Sequence, residues 1–242
     1  MWLPPDHDFR KHTDNLRAVK AGVIQAERTH KDAIRRGDLP ATEYSARMHQ
    51  LMIGLLAEAE LRQIVSDPGG FNDKESGLIR DERSKELQWK RAVELSIRRH
   101  YAVPIHLDIT DLNTATGVGA QYESTIDLLE NDLSAVIGDR NKLAHAQWKW
   151  HLNSKETSFL SGAAPSPLNY LASRYTGQVI TLIARLVYAL VVSEPTFQRD
   201  YAEITSDITS TRLQLQAAGR DYASFVTVLR EQRRSLSSGN GK

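Results

Sequence analysis

Cysteine is absent from this 242-residue chain, which excludes disulfides, thiolate metal centres and a cysteine nucleophile. That absence fits a reducing compartment. Neither sign of charge dominates: 31 lysines and arginines face 30 aspartates and glutamates, for a net charge of +1. No whole-molecule field draws such a chain to a polyanion, so any nucleic-acid site has to be a local basic patch. Long apolar runs are scarce. The densest, residues 179–192, is shorter than a bilayer span requires and carries Arg185. Residues Met1 to Asp6 have neither the basic start nor the apolar stretch of a secretory signal. Strand-like alternation is confined to Val103, Ile105, Leu107 and Ile109. The expectation is a soluble cytoplasmic protein with no membrane contact. At 40% hydrophobic residues it has enough apolar content for a core.

What the chain does have is helical periodicity. Phe9, Leu16, Val19 and Val23 recur at helix spacing, and Gly37-Asp38-Leu39-Pro40 breaks that run. Met48, Met52, Leu55 and Ala59 form the stripe of a second helix, which Asp67-Pro68-Gly69-Gly70 ends. Residues 71–79 read as a loop, and Trp89, Val93, Ile97 and Tyr101 mark a third helix. Residues 123–137 form a fourth, and residues 153–167 read as a surface loop. The long apolar helix at 168–192 should sit mid-bundle, and a last helix from Pro195 is open to a kink at Gly219. The fold class is therefore all-α, a bundle of about six to eight helices. Residues 1–236 are expected to form a single helical domain, with a polar disordered tail at 237–242.

The chemistry concentrates at Gly138-Asp139-Arg140-Asn141-Lys142-Leu143-Ala144-His145. Gly138 and Asp139 read as the stop of one helix and the N-cap of the next. That places Arg140 in a first turn, where free N–H groups and the positive dipole end would attract an anion. The new helix would run on to about Trp150. Asn141 and His145 are four apart and share one face. His145 is the proton carrier suited to neutral pH.

Arg140-Asn141-x-x-Ala144-His145, entered from an amphipathic helix and followed by a long apolar one, resembles the HEPN superfamily. Those are small helical bundles, many of them ribonucleases of toxin–antitoxin and phage-defence systems, with an Arg-x4-6-His motif. The resemblance covers about residues 123–192, with extra helices at both ends. Arg99-x6-His106 also fits the bare pattern, but it crosses Pro104 and leaves a helix rather than entering one, so it reads as accidental. Members paired with nucleotidyltransferases carry His-x-Tyr; here that position is Gln147, which argues against an antitoxin of that kind.

The resemblance implies a metal-independent endoribonuclease, a toxin or antiviral effector, working as a homodimer with a composite site. An antitoxin or defence-system protein would be a further partner, and no cofactor is implied. The catalytic residues would be Arg140, Asn141 and His145. Lys142, Lys149 and Trp148 would bind RNA. His100, His106 and His151 show no metal-ligand spacing with a carboxylate. Competing readings stay open: a non-catalytic RNA-binding or protein-interaction module, or a purely structural helical dimer. Residue by residue, Trp148 and Trp150 read more readily as packing than as base stacking. Glu58 and Glu60 read as polar-face residues, with a contact from Glu58 or Glu60 to Arg140 left open.

Overall fold

The computed structural model describes residues 7–110, 117–153, 157–161 and 167–239. It is all-helical, with no named strand among the described residues. The helices are α1 (Asp8–Arg36), α2 (Leu39–Val65), α3 (Asp73–Arg80), α4 (Lys85–His100), α5 (Val118–Leu128), α6 (Ser134–Ala144), α7 (Tyr170–Val192) and α8 (Glu194–Gly239). A π turn, Leu129–Leu133, joins α5 to α6 without a break, so the eight segments make seven rods.

Local chemistry sets the ends. Gly37 closes α1 at φ 71°, the left-handed conformation that glycine adopts without penalty. Asp38 then caps α2, accepting a hydrogen bond from the Ala41 N–H at 3.0 Å. Pro40 occupies the first turn, where its missing N–H is no loss. Asn72 and Glu75 form a reciprocal capping box that starts α3.

The core gathers around α7. Ile180, Ile183, Leu186, Val187, Leu190 and Val191 are buried, with Trp89 of α4 and Phe197 of α8 beside them. Each fully buried aliphatic side chain of this kind contributes about 1.5–3 kcal/mol. At 23 residues α7 falls within the helix expected at 168–192, and the whole of it, unlike the 179–192 run alone, is long and apolar enough to cross a membrane. Half of its most apolar window is buried inside the bundle, against α1, α2, α4 and α8.

A second, smaller core joins α1, α7 and α8. His30 and His49 lie there almost fully buried, with ring centroids 5.9 Å apart. Tyr170 stands 5.6 Å from His30 and stacks on Phe225 at 5.0 Å. The Tyr170 hydroxyl donates to Glu27 at 2.7 Å.

Several expectations are corrected. Residues 73–80 are helix α3 rather than loop. The segment from Val103 to Ile109 turns instead of extending. Gly219 does not interrupt α8, which continues to Gly239 through the first residues read as tail; residues 240–242 lie outside the described residues. The largest correction concerns Gly138 and Asp139, which sit inside α6.

Candidate functional site

Because α6 passes straight through Gly138 and Asp139, Arg140 does not open a helix. It lies in the penultimate turn, and His145 is the C-cap, its N–H bonded to the Asn141 carbonyl at 3.0 Å. The expected cluster of free N–H groups is therefore missing from this site. The dipole end here is the negative one, so a phosphate has to be attracted by side chains alone. The helix also stops at Ala144, well short of Trp150.

What places Arg140 is the approach of α6 to α2. A Cβ on Gly54 would fall 2.2 Å from the Arg140 Cβ and 3.3 Å from the Val136 carbonyl oxygen, so only glycine admits this contact. One turn along α2 lies Glu58, 5% exposed. Its Oε1 is 2.8 Å from Arg140 Nη2, and its Oε2 is 3.6 Å from Arg62 Nη2. The Arg140 pair is close in distance but off-line: Glu58 Oε1 has no hydrogen bond of acceptable angle. We regard it as a Coulomb contact. Arg140 Nη1 donates to Asn141 Oδ1 at 2.8 Å, which bends the guanidinium round the helix toward the face shared by Asn141 and His145. His145 and Asn141 are exposed. The sequence left a Glu58–Arg140 contact open; the fold makes it. Glu60 instead pairs with Lys20 at 2.8 Å.

The chain leaves α6 through a Schellman motif: Gln147 N–H bonds to Lys142 O at 2.9 Å and Ala146 N–H to Leu143 O at 3.3 Å. Ala146 occupies the left-handed position, at φ 59°, where glycine is the usual residue. Ala146→Gly is expected to stabilise the fold by about 1 kcal/mol, read as a rise in the urea midpoint; an unchanged or lower midpoint would contradict the strain.

That turn brings the following strip back along α6. Trp148 donates its indole N–H to Leu143 O at 2.9 Å and leans on Tyr44, ring centroids 5.4 Å apart. Arg47 Nε holds the Trp148 carbonyl at 3.0 Å. Trp148 is thus a clamp on the helix end, with only part of its ring open to solvent, while Lys149 and Trp150 are exposed and Lys142 is half-buried. His151 returns to the same end. Burial and then the Lys142 charge pull its imidazole below the usual range, with Asp139 opposing. His151 was not singled out for this site, because its placement depends on a left-handed turn at an alanine. Among the described residues, no three histidines or carboxylates gather closely enough to hold a metal ion.

Comparison of this chain with protein-family models, with curated proteins and with solved structures finds no match.

Proposed function

We propose that the chain is a HEPN-type endoribonuclease, acting in the cytoplasm as a toxin or anti-phage effector beside an antitoxin or other defence partner. The observation that carries the reading is the junction at Asn141. Its side-chain oxygen accepts from the Arg140 guanidinium, and its backbone carbonyl accepts the helical bond from the backbone N–H of His145, whose side chain is exposed. Arg140, its side chain 23% exposed, and the exposed His145 thereby lie in the last turns of the same helix.

In this reading His145 takes the proton of an RNA 2′-hydroxyl, whose oxygen attacks the adjacent phosphorus. The 5′-oxygen leaves and gains a proton, giving a 2′,3′-cyclic phosphate and a free 5′-hydroxyl. Arg140 neutralises charge building on the phosphoryl oxygens. It has N–H groups to spare beyond those facing Glu58 and Asn141. Lys142 and Lys149 add sequence-independent attraction for the backbone. A two-fold dimer would bring a second His145 as the acid.

His145→Ala is expected to cut RNA cleavage in EDTA roughly 10²–10⁴-fold, with loss of cyclic-phosphate ends. His145 is exposed, so this variant should keep its stability. Arg140→Ala should also lose activity, but it strips a charge partner from buried Glu58 and is the less clean test. The engagement of Arg140 on both sides favours a second reading, a non-catalytic RNA-binding module. Wild-type protein that binds RNA without cutting it would select that reading.

A further inference from the structure

Away from α6, a cleft of about 780 Å³ opens between the start of α1, the end of α2, α3 and the start of α4. That volume lies within the roughly 300–1,000 Å³ of small-molecule sites. Leu61, Phe71 and Ile79 lie beneath it, with Phe71, 8% exposed, the most open of the three, and the lining is mixed polar and apolar. Arg62, Arg80 and Lys85 stand in its walls.

These cations are under-used by the protein. Arg80 spends only its Nε, on the Ser76 carbonyl at 3.2 Å. Lys85 donates to the neutral Gln88 Oε1 at 2.8 Å. Neither has a carboxylate at ion-pair distance among the described residues, and Arg62 reaches Glu58 only at 3.6 Å. Three carboxylates, Asp8, Asp67 and Asp73, also line the cleft, and two of them have partners of their own. Asp67 accepts from Gly69 N–H at 2.8 Å and the Tyr188 hydroxyl at 2.9 Å, and Asp8 faces Lys11 at 3.3 Å. Asp73 is the exception. The His12 imidazole and the Lys85 ammonium, both at this cleft, are held below their usual ranges, by burial first and then by the Arg62 charge, with Asp8 opposing at His12 and Glu58 at Lys85.

We infer that this cleft binds a nucleotide through its terminal phosphate, with Arg62, Arg80 and Lys85 on the phosphate and the base over Leu61, Phe71 and Ile79. A phosphate monoester carries close to two negative charges at neutral pH, which suits two cations without carboxylates and a third held loosely. Arginine forks match phosphate geometry in a way a lone ammonium does not. The same chemistry can come from a free mononucleotide or from the 5′-phosphorylated end of an RNA strand. The inference does not rest on the ribonuclease reading, since neither Arg140 nor His145 lines the cleft.

The test is calorimetric titration of the whole chain with adenosine 5′-monophosphate, with adenosine, and with a short RNA carrying either a 5′-phosphate or a 5′-hydroxyl. The RNA arms use His145→Ala protein to prevent turnover. The phosphorylated probes should bind and adenosine should not. Arg80→Gln and Lys85→Gln should each weaken that binding roughly tenfold or more. Asp73→Asn should tighten it several-fold, an opposite sign that a purely structural role would not produce. Binding of the mononucleotide marks a free-nucleotide site, and binding of the phosphorylated RNA alone marks a strand-end site. Failure of every phosphate-bearing probe to bind, or binding indifferent to Arg80→Gln and Lys85→Gln, overturns the inference.

Discussion

Gly54→Ala should lower stability by about 1–3 kcal/mol and detach Arg140 from Glu58. In most helices this change is favourable, worth roughly 0.5–1 kcal/mol, because alanine loses less backbone freedom on folding. Here the new methyl meets the Arg140 Cβ at 2.2 Å and Cγ at 2.7 Å. These atoms sit at the root of the side chain and cannot swing away, so α6 itself has to shift. For a chain of this size the loss corresponds to a fall of several degrees in Tm. Gly138→Ala is the internal control. A Cβ there meets nothing within 4 Å, so the ordinary helix gain should appear. Thermal melts of the two variants should move in opposite directions. If both rise, the contact between α2 and α6 is looser than described and the placement of Arg140 loses its basis.

Acidification should unfold the protein through His30 and His49. Burial holds both imidazoles down to about 4, and His30 Nδ1, His30 Nε2 and His49 Nδ1 have no hydrogen-bond partner among the described residues. For His30 the neighbouring His49 adds to the lowering, while Glu27 partly opposes it at His49. Unfolded, each would take a proton near 6.5. As pH falls from 6.5 toward 4, the unfolded chain therefore binds protons that the folded one refuses, and stability declines. Above 6.5 the contribution is fully present; below 4 both states are protonated and the slope ends. The full shift amounts to roughly 3 kcal/mol for each histidine. Together these losses approach the total stability of an ordinary domain. Urea unfolding at stepped pH should show this decline, and the double replacement His30→Leu with His49→Leu should flatten it. A wild-type midpoint that stays constant down to pH 4.5 would refute the account.

The all-α class was readable because apolar residues kept a helical period and strand alternation was nearly missing. The α1–α2 corner was readable too, since glycine, an N-cap aspartate and a first-turn proline stand in the required order. Helix α3 was overlooked because eight residues carry too few apolar positions to show a period, although Asn72 and Glu75 already spelt its capping box. The misreading at Gly138 is instructive. Gly-Asp is a good stop-and-start signal locally, but Leu133, Ile137 and Leu143 bury on either side of it, and packing keeps the helix whole. That reversed the polarity assigned to the site. That Asn141 and His145 share a face follows from helix spacing alone. Glu58 as anchor and His151 as neighbour do not, because they depend on a close approach at Gly54 and a left-handed alanine far apart in sequence.

The 46-residue α8 reaches back to the beginning of the chain: Phe225 stacks on Tyr170 beside His30, and Arg230 Nε bonds the Ile34 carbonyl at 3.3 Å. The Arg230–Ile34 bond spans 196 positions of sequence, the kind of closure that slows folding. During synthesis, the first two helices can pair early, yet their histidine-bearing side stays uncovered until the ribosome has released the far half of α8. Premature termination inside that helix would yield a chain with its principal core formed and one flank still sticky, a natural substrate for chaperones or proteases.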